Sequence, residues 1–129
     1  MTAPSAKRAS RVVWFEIPAT DLKRATAFYE SILVTKLRPE NAGSHDLRVF
    51  PYEEPAVDGC LMQGPGFQPG ANGPVAYLNA DPVLEDVLKR VAPAGGKIVV
   101  PRTDLPEGMG CFAQIIDSEG NRVGLHAMS

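Results

Sequence analysis

A chain of 129 residues has the size of one domain, or of two small halves sharing a core. Its composition, 44% apolar and 22% charged with a net charge of -2, is that of an ordinary globular protein and gives no basic face for nucleic acid. No apolar run approaches the ~18 residues of a membrane span, and Cys60 and Cys111 are too few for a disulfide framework and lack metal-ligand spacing.

The opening "MTAPSAKRAS" is small, polar and basic, without the apolar centre of a signal peptide, so residues 1–10 are expected to form a frayed tail. Together with the low cysteine count, this points to a reduced, cytoplasmic protein. From Arg11 to Ile17 the β-branched and apolar content suits a strand that stops at Pro18. Asp21 is placed to cap a helix, and Leu22, Ala25, Tyr29 and Ile32 recur at helical spacing as its buried stripe. Three strand-length runs follow, at Leu33 to Leu37, Asp46 to Tyr52 and Asp58 to Gln63, with turn-prone residues between them. His45, in "NAGSHD", reads as an ordinary surface residue.

The stretch "GPGFQPGANGP" disfavours both helix and ladder and marks a connection, 64–73, between a first half (11–63) and a second (74–127). It is not a phosphate loop, because no Lys-Ser/Thr follows it and its prolines lack amide donors. The order of elements then repeats. "VAYLNA" is a strand, Asp81 reads as a cap with Pro82 at the first helical position, and Leu84, Val87, Leu88 and Val91 form the stripe. Gly95-Gly96 end that helix. Strands are expected at Lys97 to Val100, Cys111 to Ile116 and Arg122 to Ala127, the last two joined by the turn "DSEGN", where Gly120 and Asn121 accept left-handed geometry. "PEGMG" at 106–110 reads as a mobile connection at the lip of any pocket. Each half is strand, helix, strand, strand, strand, and "GCLMQ" at 59–63 echoes "GCFAQ" at 110–114. Internal duplication explains this order, and a half of about 60 residues needs its twin to bury a core.

With "DLKRATAFYE" after the first strand, "AGGKIVVPRTDLPEGMG" in the second half and "DSEGNRVGLH" at the end, the chain resembles the vicinal oxygen chelate superfamily over residues 11–127. That superfamily includes glyoxalase I, extradiol dioxygenases, fosfomycin-resistance enzymes and bleomycin-resistance binding proteins. The resemblance implies an α+β fold of two tandem βαβββ modules, a curved mixed sheet with helices on its outer face, and a homodimer. It also implies metal ligands on the first and last strands of each module. Carried onto this chain, those positions fall on Trp14, Val75, Gly124 and a site near Leu61 or Gln63. An indole, an alkyl group and a glycine offer no lone pair at metal-ligand distance, so the expectation is no metal and no other cofactor.

If Trp14 faces the concave side of the sheet, strand alternation turns Glu16, Tyr77, Asn79, Arg122 and His126 the same way. Through the echo it adds Leu61 with Gln63 and Phe112 with Gln114, and sends Cys60 and Cys111 toward the helices. The expected ligand-binding set is Trp14, Gln63, Tyr77, Asn79, Phe112, Gln114 and Arg122, an aromatic floor with polar groups suited to a small molecule. Glu16 and His126 are the candidate catalytic pair, a carboxylate in a partly apolar pocket and an imidazole to share its proton. The plainer reading is that Glu16 bonds backbone amides or Arg122 and His126 is a satisfied core residue. Two functions remain open: a metal-independent small-molecule binder, and a lyase, isomerase or hydrolase acting through Glu16 and His126, with or without a metal at displaced ligands.

Overall fold

The computed structural model describes residues 10–129, so the expected tail falls almost wholly outside the described residues. Module one runs β1 (Phe15–Pro18), α1 (Leu22–Leu33), β2 (Arg38–Ala42), β3 (His45–Val49) and β4 (Gly59–Gln63). Module two runs β5 (Tyr77–Asn79), α2 (Leu84–Ala94), β6 (Lys97–Asp104), β7 (Cys111–Ile116) and β8 (Arg122–Ala127). The two sheets have the same topology, β1-β4-β3-β2 and β5-β8-β7-β6. In each, the fourth strand lies between the third and the first and runs parallel to the first. This is the α+β, twice-repeated βαβββ architecture.

The helices form where their apolar stripes meet. Leu22, Ala25, Phe28, Tyr29 and Ile32 of α1 and Leu84, Val87, Leu88 and Val91 of α2 are buried in one cluster with Ile17, Leu61, Leu78, Ile115 and Leu125 from both sheets. Asp21 caps α1 as its sequence position suggests, its carboxylate accepting from Arg24 N–H at 3.0 Å. Gly95 ends α2 in the left-handed region at φ 107.

Several expected elements move. Leu33 to Leu37 is not a strand. α1 continues through Leu33, Val34 closes it at φ 52 with its N–H on the Glu30 carbonyl, and Leu37 turns into the core. The strand assigned there lies at β2, every residue of which is exposed. Asp81 does not cap α2, because the helix begins two residues later than its pattern suggests, with Val83 at the N-cap. The Asp81 carboxylate instead accepts from Met128 N–H at 2.8 Å. Glu85 and Asp86 in the first turn of α2 supply negative charge toward its amide end. β3 begins at His45, whose ring packs edge-on against Phe67, and β6 extends to Asp104.

Val34 supplies a test of local strain. A β-branched residue is poorly suited to the left-handed region, and Val34 is 72% exposed, so it offers little packing in return. Val34→Gly is expected to raise stability by about 1 kcal/mol, measured as a shift in urea midpoint without change in slope. A lowered midpoint would show that the valine side chain matters to packing.

The turn that closes module two is also a cap for module one. Glu119 accepts from Thr20 N–H and Asp21 N–H at 2.9 and 2.8 Å and takes Arg24 Nε at 2.7 Å. Burial alone would raise the Glu119 carboxyl, but the Arg24 hydrogen bond, the Asp21 amide, Ser118 and the Arg24 charge outweigh it and hold the group below its ordinary value. A carboxyl depressed in the folded state stabilises above its unfolded pKa of roughly 4.3 and loses that contribution as pH falls through the lower folded value. Glu119→Gln should therefore lower stability at neutral pH and flatten the acid limb of the stability–pH curve. A parallel, unflattened limb in urea titrations across pH would contradict this.

Candidate functional site

The face of module two turned away from the helices carries a connected group of side chains. Tyr77 on β5 stands opposite Gly124 on β8, and Gln114 on β7 stands opposite Gly124 from the other side. Glycine matters at this point, because a Cβ at 124 would overlap the Tyr77 ring, which lies across the strand. Gln114 Nε2 donates to Tyr77 Oη at 2.7 Å, and Arg122 Nη1 donates to Gln114 Oε1 at 2.9 Å. Phe112 packs edge-on against Tyr77, with ring centroids 5.9 Å apart. Tyr77 is nevertheless 47% exposed, an open aromatic surface beside a half-buried guanidinium.

A cavity of about 190 Å³ opens beside this group, where β1, the inter-module connection and the start of β8 meet. Glu16, Gln68, Asn72, Asn121 and Arg122 supply its polar side chains. Its walls are fixed by Asn121, whose Nδ2 donates to the Pro18 carbonyl at 2.7 Å while its Oδ1 accepts from Gly70 N–H at 3.0 Å. Glu16 is exposed rather than set in the partly apolar surroundings expected for it, and among the described residues it has no hydrogen-bond or ion-pair partner within bonding distance. Its charge, second to burial, contributes to pushing the neighbouring Cys60 thiol up to about 12, which keeps that thiol protonated and unreactive at neutral pH.

The structure thus gathers Tyr77, Phe112, Gln114 and Arg122 and places Glu16 across a cavity from Arg122. The other expected residues lie elsewhere or are otherwise engaged. Trp14, just ahead of β1, is 39% exposed and does not line that cavity. Asn79 Oδ1 accepts from Asp81 N–H, a local turn contact. His126 sits four residues along β8 from Arg122, roughly 13 Å by strand rise, and does not line the cavity that holds Glu16. Its Nε2 lies 2.6 Å from the Met109 carbonyl oxygen. Because that oxygen only accepts, Nε2 must carry the hydrogen and cannot act as a base through that atom.

Gln63 turns the other way from its expected direction. Its Oε1 accepts from Leu22 N–H at 2.7 Å, helping to cap α1 on the helix side of the sheet. Leu61 lies in the main core, whereas Cys60 and Met62 face the opposite side with Leu47 and Val49, covered by Phe67. The echo between "GCLMQ" and "GCFAQ" caused this reversal. The first forms β4, the central strand beside β1, while the second leads into β7, so the two are not equivalent in the repeat. Cys111 does face the helices, as strand alternation in module two required.

Sequence reasoning missed the linker's contribution of Gln68 and Asn72 and the anchoring role of Asn121. Only the polar side chains of an otherwise glycine- and proline-rich stretch hinted at the first. As for a metal of the kind the superfamily uses, the positions involved hold an indole, an alkyl chain and a glycine covered by a tyrosine ring, and Gln63 is engaged at α1. Among the described residues no three His, Cys, Asp or Glu side chains come together as a ligand group. These residues do not fit that donor set.

No protein-family model matches the chain, and no curated protein matches it. Solved structures do. A glyoxylase/bleomycin resistance protein/dioxygenase domain from Frankia sp. EAN1pec superposes with a TM-score of 0.68 at 16% identity, covering 92% of this chain and 97% of that one. A genomically encoded fosfomycin resistance protein from Listeria monocytogenes gives 0.64 at 17%, covering 93% and 94%. Glyoxalase I from Zea mays gives 0.63 at 21%, covering 90% of this chain, which spans 45% of the maize protein's length. At these identities the likeness establishes the fold: the chain has the paired-module fold of the vicinal oxygen chelate superfamily.

Proposed function

We propose that this protein binds a small organic molecule on the helix-free face of module two, without the metal that the superfamily's enzymes use. The observation that carries this is the partly exposed, hydrogen-bonded group of Tyr77, Gln114 and Arg122, backed by Phe112, of which Arg122 also lines a cavity of about 190 Å³. An aromatic platform with a few fixed polar groups is what a small-molecule site requires. The resemblance to a superfamily whose small members dimerise, together with the exposed Tyr77 on the pocket face, supports a homodimer in which a second copy completes the pocket. Cys60 and Cys111, both free and buried, support a reduced, cytoplasmic setting.

A ligand-library thermal-shift screen tests the reading, since a molecule that binds only the folded state raises the apparent melting temperature by mass action. Trp14, the sole tryptophan, then reports by fluorescence whether the ligand reaches β1. No stabilising compound in a broad screen would count against a binding function.

The enzymatic reading is favoured by one observation, the unpartnered Glu16 in a cavity shared with Arg122. It separates from simple binding through Glu16→Gln, which keeps shape and removes proton transfer. A binder of a neutral ligand should lose little affinity, whereas an enzyme using Glu16 as its acid or base should keep binding and lose ~10²–10⁴ in rate. His126→Asn should leave both unaltered, because its Nε2 is engaged by Met109. A matching loss in both variants would restore the pair.

A further inference from the structure

We infer that the module-two site takes an organic anion, its carboxylate held by Arg122 and the Tyr77 hydroxyl; this rests on the binding function proposed above. The reason is the direction of the hydrogen bonds. A guanidinium only donates, so the group of Gln114 facing Arg122 Nη1 at 2.9 Å must be its carbonyl oxygen. That fixes the carboxamide nitrogen toward Tyr77, where it donates to Oη at 2.7 Å. Tyr77 Oη already accepts, and the structure gives its own proton no acceptor among the described residues. Arg122 likewise has donors in excess. Its one side-chain hydrogen bond uses one nitrogen, and no carboxylate lies within ion-pair distance of it among the described residues.

Two donors without a protein acceptor, both open to solvent or ligand, are thus held apart by no more than the span of one carboxamide and its two hydrogen bonds. A carboxylate accepts at two oxygens and carries the charge that Arg122 lacks, and charge-assisted bonds of this kind are the stronger ones. Tyr77 and Phe112 set an aromatic surface beside the pair, suited to a flat or apolar remainder of the ligand. Glu16, on another wall of the cavity that Arg122 lines, repels an anion and so directs it toward the Arg122–Tyr77 side.

Benzoate and benzamide distinguish charge from shape, since they share size and ring. Titration calorimetry on the full chain is expected to give benzoate at least about tenfold tighter binding than benzamide, the effect of a hydrogen-bonded charge. Arg122→Gln should abolish that preference, and Tyr77→Phe, which removes only the hydroxyl, should weaken benzoate several-fold while sparing benzamide. Glu16→Gln should tighten benzoate. Melting curves of each unliganded variant confirm that it folds, and Arg122→Lys, which keeps charge but loses the planar fork, should fall between wild type and Arg122→Gln. Equal binding of the two probes, absence of benzoate binding, a preference that survives Arg122→Gln, or weaker benzoate binding by Glu16→Gln overturns the inference. A neutral library compound that binds through Tyr77 and Phe112 would then leave the binding function standing, whereas a screen with no ligand at all removes that function as well.

Discussion

Asp117→Ala is expected to cost about 3–5 kcal/mol, more than any other single polar substitution in the chain. Asp117 is 3% exposed and its carboxylate accepts four hydrogen bonds. Oδ2 takes Tyr29 Oη at 2.6 Å and Asn121 Nδ2 at 3.0 Å, and Oδ1 takes the amides of Glu119 and Asn121 at 2.8 and 2.9 Å. Alanine would leave those donors without their acceptor, in a region where water has little access. Tyr29→Phe removes one donor and leaves no polar orphan of its own, so it should cost only about 1–1.5 kcal/mol. Tyr29 does not ionise in any relevant range: burial, then the Asp117 charge, hold its hydroxyl well above the usual value. Urea denaturation of the two variants checks the ratio. An Asp117→Ala protein within 1 kcal/mol of wild type would show that the network is ornamental.

The consequence reaches the cavity. Asn121 is held by Asp117 and in turn holds Pro18 and Gly70, which belong to two of the cavity's walls. Asp117→Asn, a milder change, should therefore weaken ligand binding more than its stability loss alone accounts for.

What could be read from sequence was local. Asp21 could be identified as a cap because the residues that it serves follow within one turn. Gly95 and Gly120 could be identified because left-handed geometry selects for glycine. Tyr77, Phe112, Gln114 and Arg122 share a face because alternation within well-bounded strands leaves no other choice. Failures occurred where position depended on distant contacts. Val34 adopts a conformation that its side chain disfavours, so nothing in "ILVTKL" signals a helix end. Asp81 and Pro82 have the form of a helix start, yet the carboxylate is taken by Met128, 47 residues away. Likeness to Gln114 points Gln63 to the wrong face, because its strand occupies a different place in the repeat. Glu119 and Asn121 stood in a recognisable turn, but their service to α1 and Pro18 crosses the whole chain and has no local signature.

Those cross-chain contacts lead to the remaining large effect, that the modules unfold together. Ile32 in α1 and Leu125 in β8 are both wholly buried and belong to one apolar cluster, although they come from different modules. Each truncation to alanine removes buried methyl groups and leaves a cavity, at a cost of about 2–5 kcal/mol. That is a large share of the roughly 5–15 kcal/mol that holds a domain folded. Trp14 lies in module one, and far-UV circular dichroism reports both modules, so the two signals separate the possibilities. With one core, Leu125→Ala should shift the tryptophan transition and the dichroism transition to the same lower urea concentration, and Ile32→Ala should do the same from the other side. If Leu125→Ala leaves the tryptophan transition in place and splits the dichroism curve in two, the modules are independent. The cavity between β1, the connection and β8 would then close and open with their separation, and a ligand bound there should merge the two transitions.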